Sequence, residues 1–232
     1  MPLASIAATA KREGRTLLSE VESKEVVKEA GINVTETLLA RTREEAVATA
    51  QRLGFPVALK VVSPDIAHKS DVGGVKLGLA DAQAAGRAYD DIMAAAKRAQ
   101  PSAQITGVSV QKMARPGVEV IIGASKDAQF GPVLMFGLGG VMVEVLKDVS
   151  FRVIPLASRD AREMVREIKG YPVLQGVRGQ KPVHVAGLED ALMKLSSYIQ
   201  AHPQVKEVDL NPIFAYEDGL VAVDARVVLD NA

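Results

Sequence analysis

The sequence predicts an α+β fold of two lobes. Runs of helical and strand periodicity follow one another without the strict β-α-β alternation of parallel sheets. The chain closes on a hairpin signal, Asp218-Gly219 between two apolar runs, and Arg115-Pro116-Gly117 interrupts the chain near its middle. We therefore expect an N-terminal arm over residues 1–18, a first lobe over residues 19–115 and a second lobe over residues 116–232.

Capping signals predict the first two helices after the arm. Each helix is expected to begin at a hydroxyl residue followed three positions later by Glu, and to end at a Gly. The two sets are Ser19, Glu22 and Gly31, and Thr42, Glu45 and Gly54. Apolar residues at helical spacing predict further helices over residues 82–99, after a cap at Ser158, and around residues 188–199.

Apolar, β-branched runs predict the strands. They cover residues 55–62, 75–80, 105–113, 118–124, 132–136, 205–214 and 220–229. The first run is apolar apart from Lys60, and a buried ammonium requires a partner. Glycines follow the run at 132–136, at positions 137, 139 and 140, and would allow another group to approach the backbone closely.

Composition excludes several classes of function. The 232 residues carry 28 basic and 28 acidic side chains, so no net charge favours binding to nucleic acid or to an anionic membrane. The chain has no cysteine, which excludes disulfides, thiolate metal sites and cysteine nucleophiles, and any metal must be held by oxygens. Neither a secretion signal nor a membrane-spanning run is evident, so we expect a cytoplasmic protein.

The C-terminal hairpin predicts a metal site. A turn centred between Glu217 and Asp218 places Asn211 opposite Asp224, and Asp209 lies on the same face because side chains alternate along a strand. An incomplete set of oxygen ligands suits Mg²⁺ shared with phosphates and water. Two alternatives remain at this point: a turn with one more residue would shift the register, and hairpin carboxylates are often merely solvated.

Three long segments carry a resemblance to a known family. They are FPVALKVVSPDIAHKSDVGGV at residues 55–75, GLGGVMVEVLKDVSFR at residues 137–152 and VDLNPI at residues 208–213. Together they resemble the ATP-grasp subunit of ADP-forming (NDP-forming) acyl-CoA synthetases and, more weakly, the β subunit of succinyl-CoA synthetase. The resemblance implies an ATP-grasp fold that binds ATP or ADP between two lobes, with Mg²⁺.

The resemblance also implies roles for individual residues. It assigns Lys60 to the ATP phosphates and Glu119 to the ribose, and it places Mg²⁺ on Asn211 and Asp224, the pair that the hairpin register selects. Contacts with adenine are implied for Gln111, Lys112 and Met113, and contacts with the phosphoryl group for Gly139, Gly140 and Arg152. Glu144 and Asp209 are expected either to orient a phosphohistidine or to help hold Mg²⁺, and the sequence does not separate these roles.

His68 is the candidate catalytic nucleophile. It lies in a polar, glycine-ending loop after the Lys60 strand, and a neutral imidazole can accept a phosphoryl group as a reactive phosphoramidate. The resemblance implies that this histidine carries phosphate between two distant sites. His184 and His202 lie outside the matching segments, and we interpret both as structural.

The implied reaction converts acyl-CoA, ADP and phosphate to acid, CoA and ATP, in either direction. The resemblance implies a separate α subunit that binds CoA, in an α2β2 complex. Two alternatives stay open: another ATP-grasp carboxylate ligase that forms an acyl-phosphate directly, and a nucleotide-binding subunit without catalysis. The acyl substrate and the choice of ATP or GTP are not specified by the sequence.

Overall fold

The computed structural model describes residues 1–66, 68–140, 147–177, 179 and 181–230. The chain forms two compact units. The first lobe consists of Leu18–Glu22 and Thr35–Ala114, and the second lobe consists of Met1–Leu17, Ser23–Val34 and Arg115–Ala232. The N-terminal residues form helix α1 (Leu3–Arg12), whose Leu3, Ile6 and Ala10 are buried, and they belong to the second lobe.

The first lobe is an antiparallel sheet covered by helices. Its described strands are β1 (Thr37–Ala40), β2 (Val57–Val62), β3 (Val75–Leu79) and β4 (Gly107–Lys112), in the order β1-β4-β2-β3. Helices α3 (Arg43–Leu53) and α4 (Ala82–Ala99) pack against it, and every residue of β2 is buried. Their apolar side chains form one core with β2 and β4. Lys60 is also buried, but it projects from the face of β2 opposite to the core residues Leu59 and Val61.

The predicted helix caps at Ser19 and Thr42 are confirmed. The hydroxyl of Ser19 accepts from the Glu22 amide at 3.3 Å, while the Glu22 carboxylate accepts from the Ser19 amide at 2.8 Å. Helix α2 (Glu20–Glu29) follows this box. Before α3, Thr42 Oγ1 accepts from the Glu45 amide at 3.2 Å. Both caps satisfy amides that have no partner within the helix.

The second lobe contains a larger antiparallel sheet. Its described strands are β5 (Val118–Asp127), β6 (Gly131–Leu138), β7 (Val149–Val153), β8 (Val205–Tyr216), β9 (Gly219–Ala222) and β10 (Arg226–Leu229). The order is β10-β8-β5-β6-β7, and β9 pairs with β8. Helices α5 (Ser158–Glu167), α6 (Tyr171–Leu174) and α7 (Val185–Ala201) complete the lobe, with α5 and α7 against each other and against β6.

Two local predictions are wrong. Ser158 does not cap its helix: it is the first helical residue, and the Asp160 carboxylate instead accepts from the Ala157 amide at 2.7 Å. The last strand is not continuous over residues 220–229, because β9 ends at Ala222 and β10 begins at Arg226. In the gap, the amide of Ala225 donates to the side chain of Asp224 at 2.9 Å, so it is not available to the ladder.

The predicted hairpin register is confirmed. Tyr216 pairs with Gly219 and Ile213 with Ala222, as a turn centred between Glu217 and Asp218 requires. Within the described part of the chain, no helix is long and apolar enough to cross a bilayer.

Candidate functional site

Lys60 lies inside the first lobe and is bound to a carboxylate. Its Nζ donates to Glu20 Oε1 at 2.7 Å, and the two side chains are 7% and 0% exposed. Glu20 also receives Lys69 Nζ at 3.3 Å and Ser109 Oγ at 3.4 Å. The carboxylate therefore supplies the partner that the burial of Lys60 requires.

His68 lies exposed in the loop between β2 and β3. The loop returns to the sheet where the Gly74 carbonyl accepts from the Val61 amide at 2.7 Å. A Cβ at Gly74 would lie 2.5 Å from Val61 Cγ1, so only glycine allows this approach. The imidazole is thus accessible on a loop that is fastened immediately beside the Lys60 strand.

The predicted adenine-contacting residues lie at the end of β4. Gln111 is buried, Lys112 is exposed, and the amide of Met113 donates to the Pro56 carbonyl at 3.1 Å. The ladder pairs Lys112 with Val57 at the start of β2. These residues therefore belong to the same sheet as Lys60, at the opposite end of the β2 strand from the His68 loop.

Glu119, Gly139 and Gly140 meet in the second lobe. The Gly139 amide donates to the Glu119 carbonyl at 2.8 Å. An added Cβ would lie 3.0 Å from Glu119 Cβ at Gly139 and 3.0 Å from Glu119 Oε2 at Gly140, whose φ of +61° also favours glycine. The two glycines thus let the turn after β6 lie directly against the exposed Glu119 side chain.

These three residues line a pocket of about 850 Å³. Other lining residues are Leu138 of β6, Val173 of α6, Val183 before α7, and Glu217 and Asp218 of the turn between β8 and β9. The volume falls in the range of about 300–1,000 Å³ that is typical of small-molecule sites. An apolar floor beside the Glu119 carboxylate can accommodate a flat ring and bind hydroxyl groups.

Charged side chains form one rim of this pocket. The Arg115 guanidinium lies over the ring of Tyr216 at 4.1 Å and also pairs with Asp218. Lys181 Nζ lies 2.8 Å from Glu217 Oε2. The hydroxyl of Tyr216 donates to the Arg115 carbonyl at 2.7 Å, so the ring is held at the pocket edge.

The hairpin register places oxygen-bearing side chains at facing strand positions. Ile213 pairs with Ala222 on one side of the gap and Asp209 with Arg226 on the other, in the same register, which leaves Asn211 opposite Asp224. Asn211 is exposed, and Asp209 and Asp224 are half-buried.

The electrostatics of this face suit a cation. Burial raises the pKa of Asp209, the positive charge of Arg226 opposes that shift, and the neighbouring carboxylates of Glu207 and Asp224 add to it. Among the described residues, no group of three or more His, Cys, Asp and Glu side chains is placed to hold a metal ion. The set fits a hard cation that takes its remaining ligands from phosphates and water, and does not form a closed protein cage.

Arg152 is engaged by two acidic side chains. Its guanidinium forms two hydrogen bonds with Glu167, at 2.8 and 2.7 Å, and lies 3.6 Å from Glu163. Hydrogen bonding to Glu167 raises the pKa of Arg152. A phosphate at this position would have to displace those carboxylates of α5.

The sheet also separates Arg152 from the hairpin carboxylates. Arg152 pairs with Leu134, and Leu134 pairs with Ala124, so the three share one face. Asp209 pairs with Gly123, the neighbour of Ala124 in β5. Because faces alternate along a strand, Arg152 and Asp209 project from opposite sides. Glu144, the remaining predicted catalytic residue, lies outside the described residues.

The sequence did not identify Glu20, Lys69 or Ser109 as neighbours of Lys60. The usable signals were the buried lysine itself and the Ser19 cap, which places Glu20 at the start of α2. Neither reports a contact between residues 40 positions apart in the chain.

Comparison with known proteins identifies the family. The model of the ATP-grasp domain matches residues 9–229. The chain belongs to the ATP-grasp family. One relative is the β subunit of ADP-forming acetate–CoA ligase I from Pyrococcus furiosus. It is 50% identical over 220 residues, which cover 95% of this chain and 94% of that subunit. The predicted family and the α+β ATP-grasp fold are confirmed, and this ATP-grasp chain is a member of the ligase family.

Two further relatives bear on the site. An ADP-forming acetate–CoA ligase of Archaeoglobus fulgidus is 49% identical over 199 residues, 86% of this chain but only 29% of the longer relative. The dinucleotide-forming acetyl-coenzyme A synthetase 1 of Ca. Korarchaeum cryptofilum superimposes with a TM-score of 0.95 at 46% identity, over 99% of this chain and 100% of that one. A second structure of the Korarchaeum protein contains coenzyme A and Mg-AMPPCP, with a phosphohistidine segment pointing towards the nucleotide site (TM-score 0.85, 44% identity, 97% and 99% coverage).

Proposed function

We propose that this ATP-grasp chain is the nucleotide-binding β subunit of an ADP-forming acid–CoA ligase, and that His68 carries the phosphoryl group. The observation that carries the proposal is the exposed imidazole of His68 on the loop that follows the Lys60 strand. His184 and His202 flank helix α7 instead, and the ring of His202 packs against Tyr198. The phosphohistidine segment of the Korarchaeum relative supports this choice.

The proposed chemical step uses ATP as the phosphoryl donor. A ring nitrogen of neutral His68 attacks the γ-phosphorus, an N–P bond forms, and the bond to the bridging oxygen breaks as ADP leaves with its electron pair. The proton on the other ring nitrogen is released to solvent. Lys60 neutralises charge on the phosphate oxygens, which is the main requirement of phosphoryl transfer.

The second lobe is proposed to hold the rest of the nucleotide. Glu119, against Gly139 and Gly140, accepts hydrogen bonds from ribose hydroxyls, and the pocket beside Leu138 accommodates part of the ring system. Asn211 and Asp224 would hold Mg²⁺, with Asp209 beside them. A bound Mg²⁺ supplies charge neutralisation for the phosphates. Gln111, Lys112 and Met113 remain predicted contacts of adenine, and Arg152 a predicted contact of the phosphoryl group.

A partner subunit is required for the second half of the reaction. The relative from Archaeoglobus is a single chain of which the region similar to this one is 29%, so the remainder is available for other domains. We propose that this chain works with an α subunit that binds CoA and the acid, and that the complex is α2β2. Dephosphorylation of His68 would then take place on the partner.

Labelling tests the proposal. The full chain is incubated with Mg²⁺ and γ-labelled ATP, without acid or CoA, and acid-labile, alkali-stable label on the protein is measured. We expect label on the wild type and on His184→Ala, a matched control because His184 is also exposed and its side chain does not cap α7. We expect none on His68→Ala. Equal label on both variants would refute the carrier role, and an unlabelled wild type would favour direct acyl-phosphate formation.

A further inference from the structure

The loop that carries His68 is tied to the same carboxylate as Lys60. Lys69, the next residue, places its Nζ 3.3 Å from Glu20 Oε2, while Lys60 Nζ lies 2.7 Å from Glu20 Oε1. The Glu20 side chain is 0% exposed, whereas the side chain of Lys69 is 25% exposed. The buried Glu20 carboxylate therefore binds both Lys60, the proposed phosphate-binding residue, and Lys69, which follows the proposed carrier His68 in the chain.

His68 lies between two anchor points of its loop. On the N-terminal side, Ile66 is buried and the Asp65 carboxylate accepts from the Gln104 amide at 2.7 Å. On the C-terminal side, the carbonyl of Lys69 accepts from the Gly74 amide at 2.8 Å, in addition to the ion pair of its side chain. His68 cannot travel far while both anchors hold, so a carrier role requires that one of them open.

The anchor that opens at lower cost is the ion pair of Lys69. The Lys69 side chain is already 25% exposed and gains hydration on release, whereas exposing Ile66 would transfer a large apolar side chain into water. Glu20 remains compensated by Lys60 after the release. The ion pair can therefore open without leaving the buried carboxylate uncompensated.

We propose that the Lys69–Glu20 ion pair is a latch that holds the His68 loop in its orientation for accepting phosphate, with Glu20 as a positioning residue. The inference rests on the proposed carrier role of His68. When the Lys60 ammonium turns to nucleotide phosphates, Glu20 is shared by fewer cations and attracts Lys69 more strongly. Nucleotide binding thus tightens the latch, and the loop is held while the phosphoryl group is transferred.

Two readouts test the latch. The first is hydrogen exchange at the amides of Gly73 and Gly74, which donate to the carbonyls of Ser70 and Lys69 within the loop. The second is the rate of His68 labelling as a function of the Mg-ATP concentration. The variants are Lys69→Met, which keeps the length of the side chain, and Lys69→Arg, which keeps the charge. Lys76→Met is the control, because Lys76 lies on β3 of the same lobe in a weak, exposed pair with Asp91 at 3.9 Å.

In Lys69→Met we expect exchange at Gly74 to accelerate about tenfold and the maximal labelling rate to fall about tenfold, from the loss of one charge-assisted contact. The KM for ATP should rise, because a latch that nucleotide binding tightens must in turn favour nucleotide binding. Lys69→Arg should restore both readouts. A Lys69→Met variant that matches Lys76→Met in exchange and in labelling would overturn the latch. If the wild type takes no label, the proposed function fails, and exchange at Gly74 still decides whether the ion pair holds the loop.

Discussion

Breaking the ion pair between Glu20 and Lys60 should strongly destabilise the first lobe. Both side chains are buried, 0% and 7% exposed, and their charged atoms lie 2.7 Å apart. Removing one member of such a pair leaves a buried charge that has lost this opposite charge, which typically costs about 3–5 kcal/mol. Because domains are stable by only about 5–15 kcal/mol, we expect Glu20→Gln and Lys60→Met each to remove a large share of the free energy of unfolding.

A double-mutant cycle isolates the pair. Glu20 and Lys60 also contact other groups, so each single variant includes losses beyond the pair. The double variant Glu20→Gln/Lys60→Met contains neither charge and should be within about 2 kcal/mol of the wild type. Its free energy of unfolding should therefore be clearly higher than the sum of the single losses predicts, with a coupling of at least about 4 kcal/mol.

The assay is urea unfolding followed by far-UV circular dichroism at constant pH and salt. Lys76→Met, in an exposed pair 3.9 Å long, is the control and should change stability by less than about 0.5 kcal/mol. Single losses below about 1 kcal/mol, the value of an exposed pair, would refute the claim that Glu20 and Lys60 form a desolvated pair. Additive losses would refute the claim that they act on each other.

Three further predictions concern the second lobe. Asp224→Asn should raise the Mg²⁺ concentration needed for His68 labelling at least about tenfold, whereas Asp218→Asn, an exposed carboxylate of the same hairpin, should not; equal shifts would contradict the metal site. Arg152→Met should lower stability by about 1 kcal/mol through loss of its Glu167 contacts and should slow labelling; a loss of stability alone would show that Arg152 only joins β7 to α5. Asp127 accepts backbone hydrogen bonds that lower its pKa, so it stabilises the fold above about pH 4 and this contribution is lost as the pH falls through the lowered pKa. Asp127→Ala should therefore melt below the wild type at pH 7, and the difference should shrink as the pH falls through the lowered pKa; a difference independent of pH would refute this cause.

Local chemistry explains which elements could be predicted from the sequence. The boxes at Ser19 and Thr42 are complete within four residues, and the structure shows their hydrogen bonds. The hairpin register follows from its turn, since only one pairing brings Tyr216 opposite Gly219. By contrast, α1 was not predicted within the N-terminal arm, although its buried Leu3, Ile6 and Ala10 follow helical spacing. Strand β1 is short, and its partner β4 follows some 70 residues later.

The partner of Lys60 lay beyond local reasoning for the same reason. A strand pattern reports that residue 60 is buried, but the identity of the compensating anion depends on which element the fold brings over the sheet. From the local sequence, Glu20 is an ordinary acidic residue in the first turn of α2, where its negative charge interacts favourably with the helix dipole. Only the tertiary structure shows that this carboxylate lies inside the lobe with two lysines around it.

The interruption between β9 and β10, which was not predicted from the sequence, lies at the proposed metal site. Pro212 has no amide to donate, and the register of β8 against β5 shifts between the pairs Val120–Ile213 and Ile122–Leu210. Across the hairpin, Asp224 takes the amide of Ala225 instead of leaving it to the ladder. A continuous strand would bind that amide in the sheet and leave the carboxylate without the contact that orients it. The hairpin register places Asp224 opposite Asn211, and the break that periodicity could not predict adds the hydrogen bond that orients the Asp224 carboxylate.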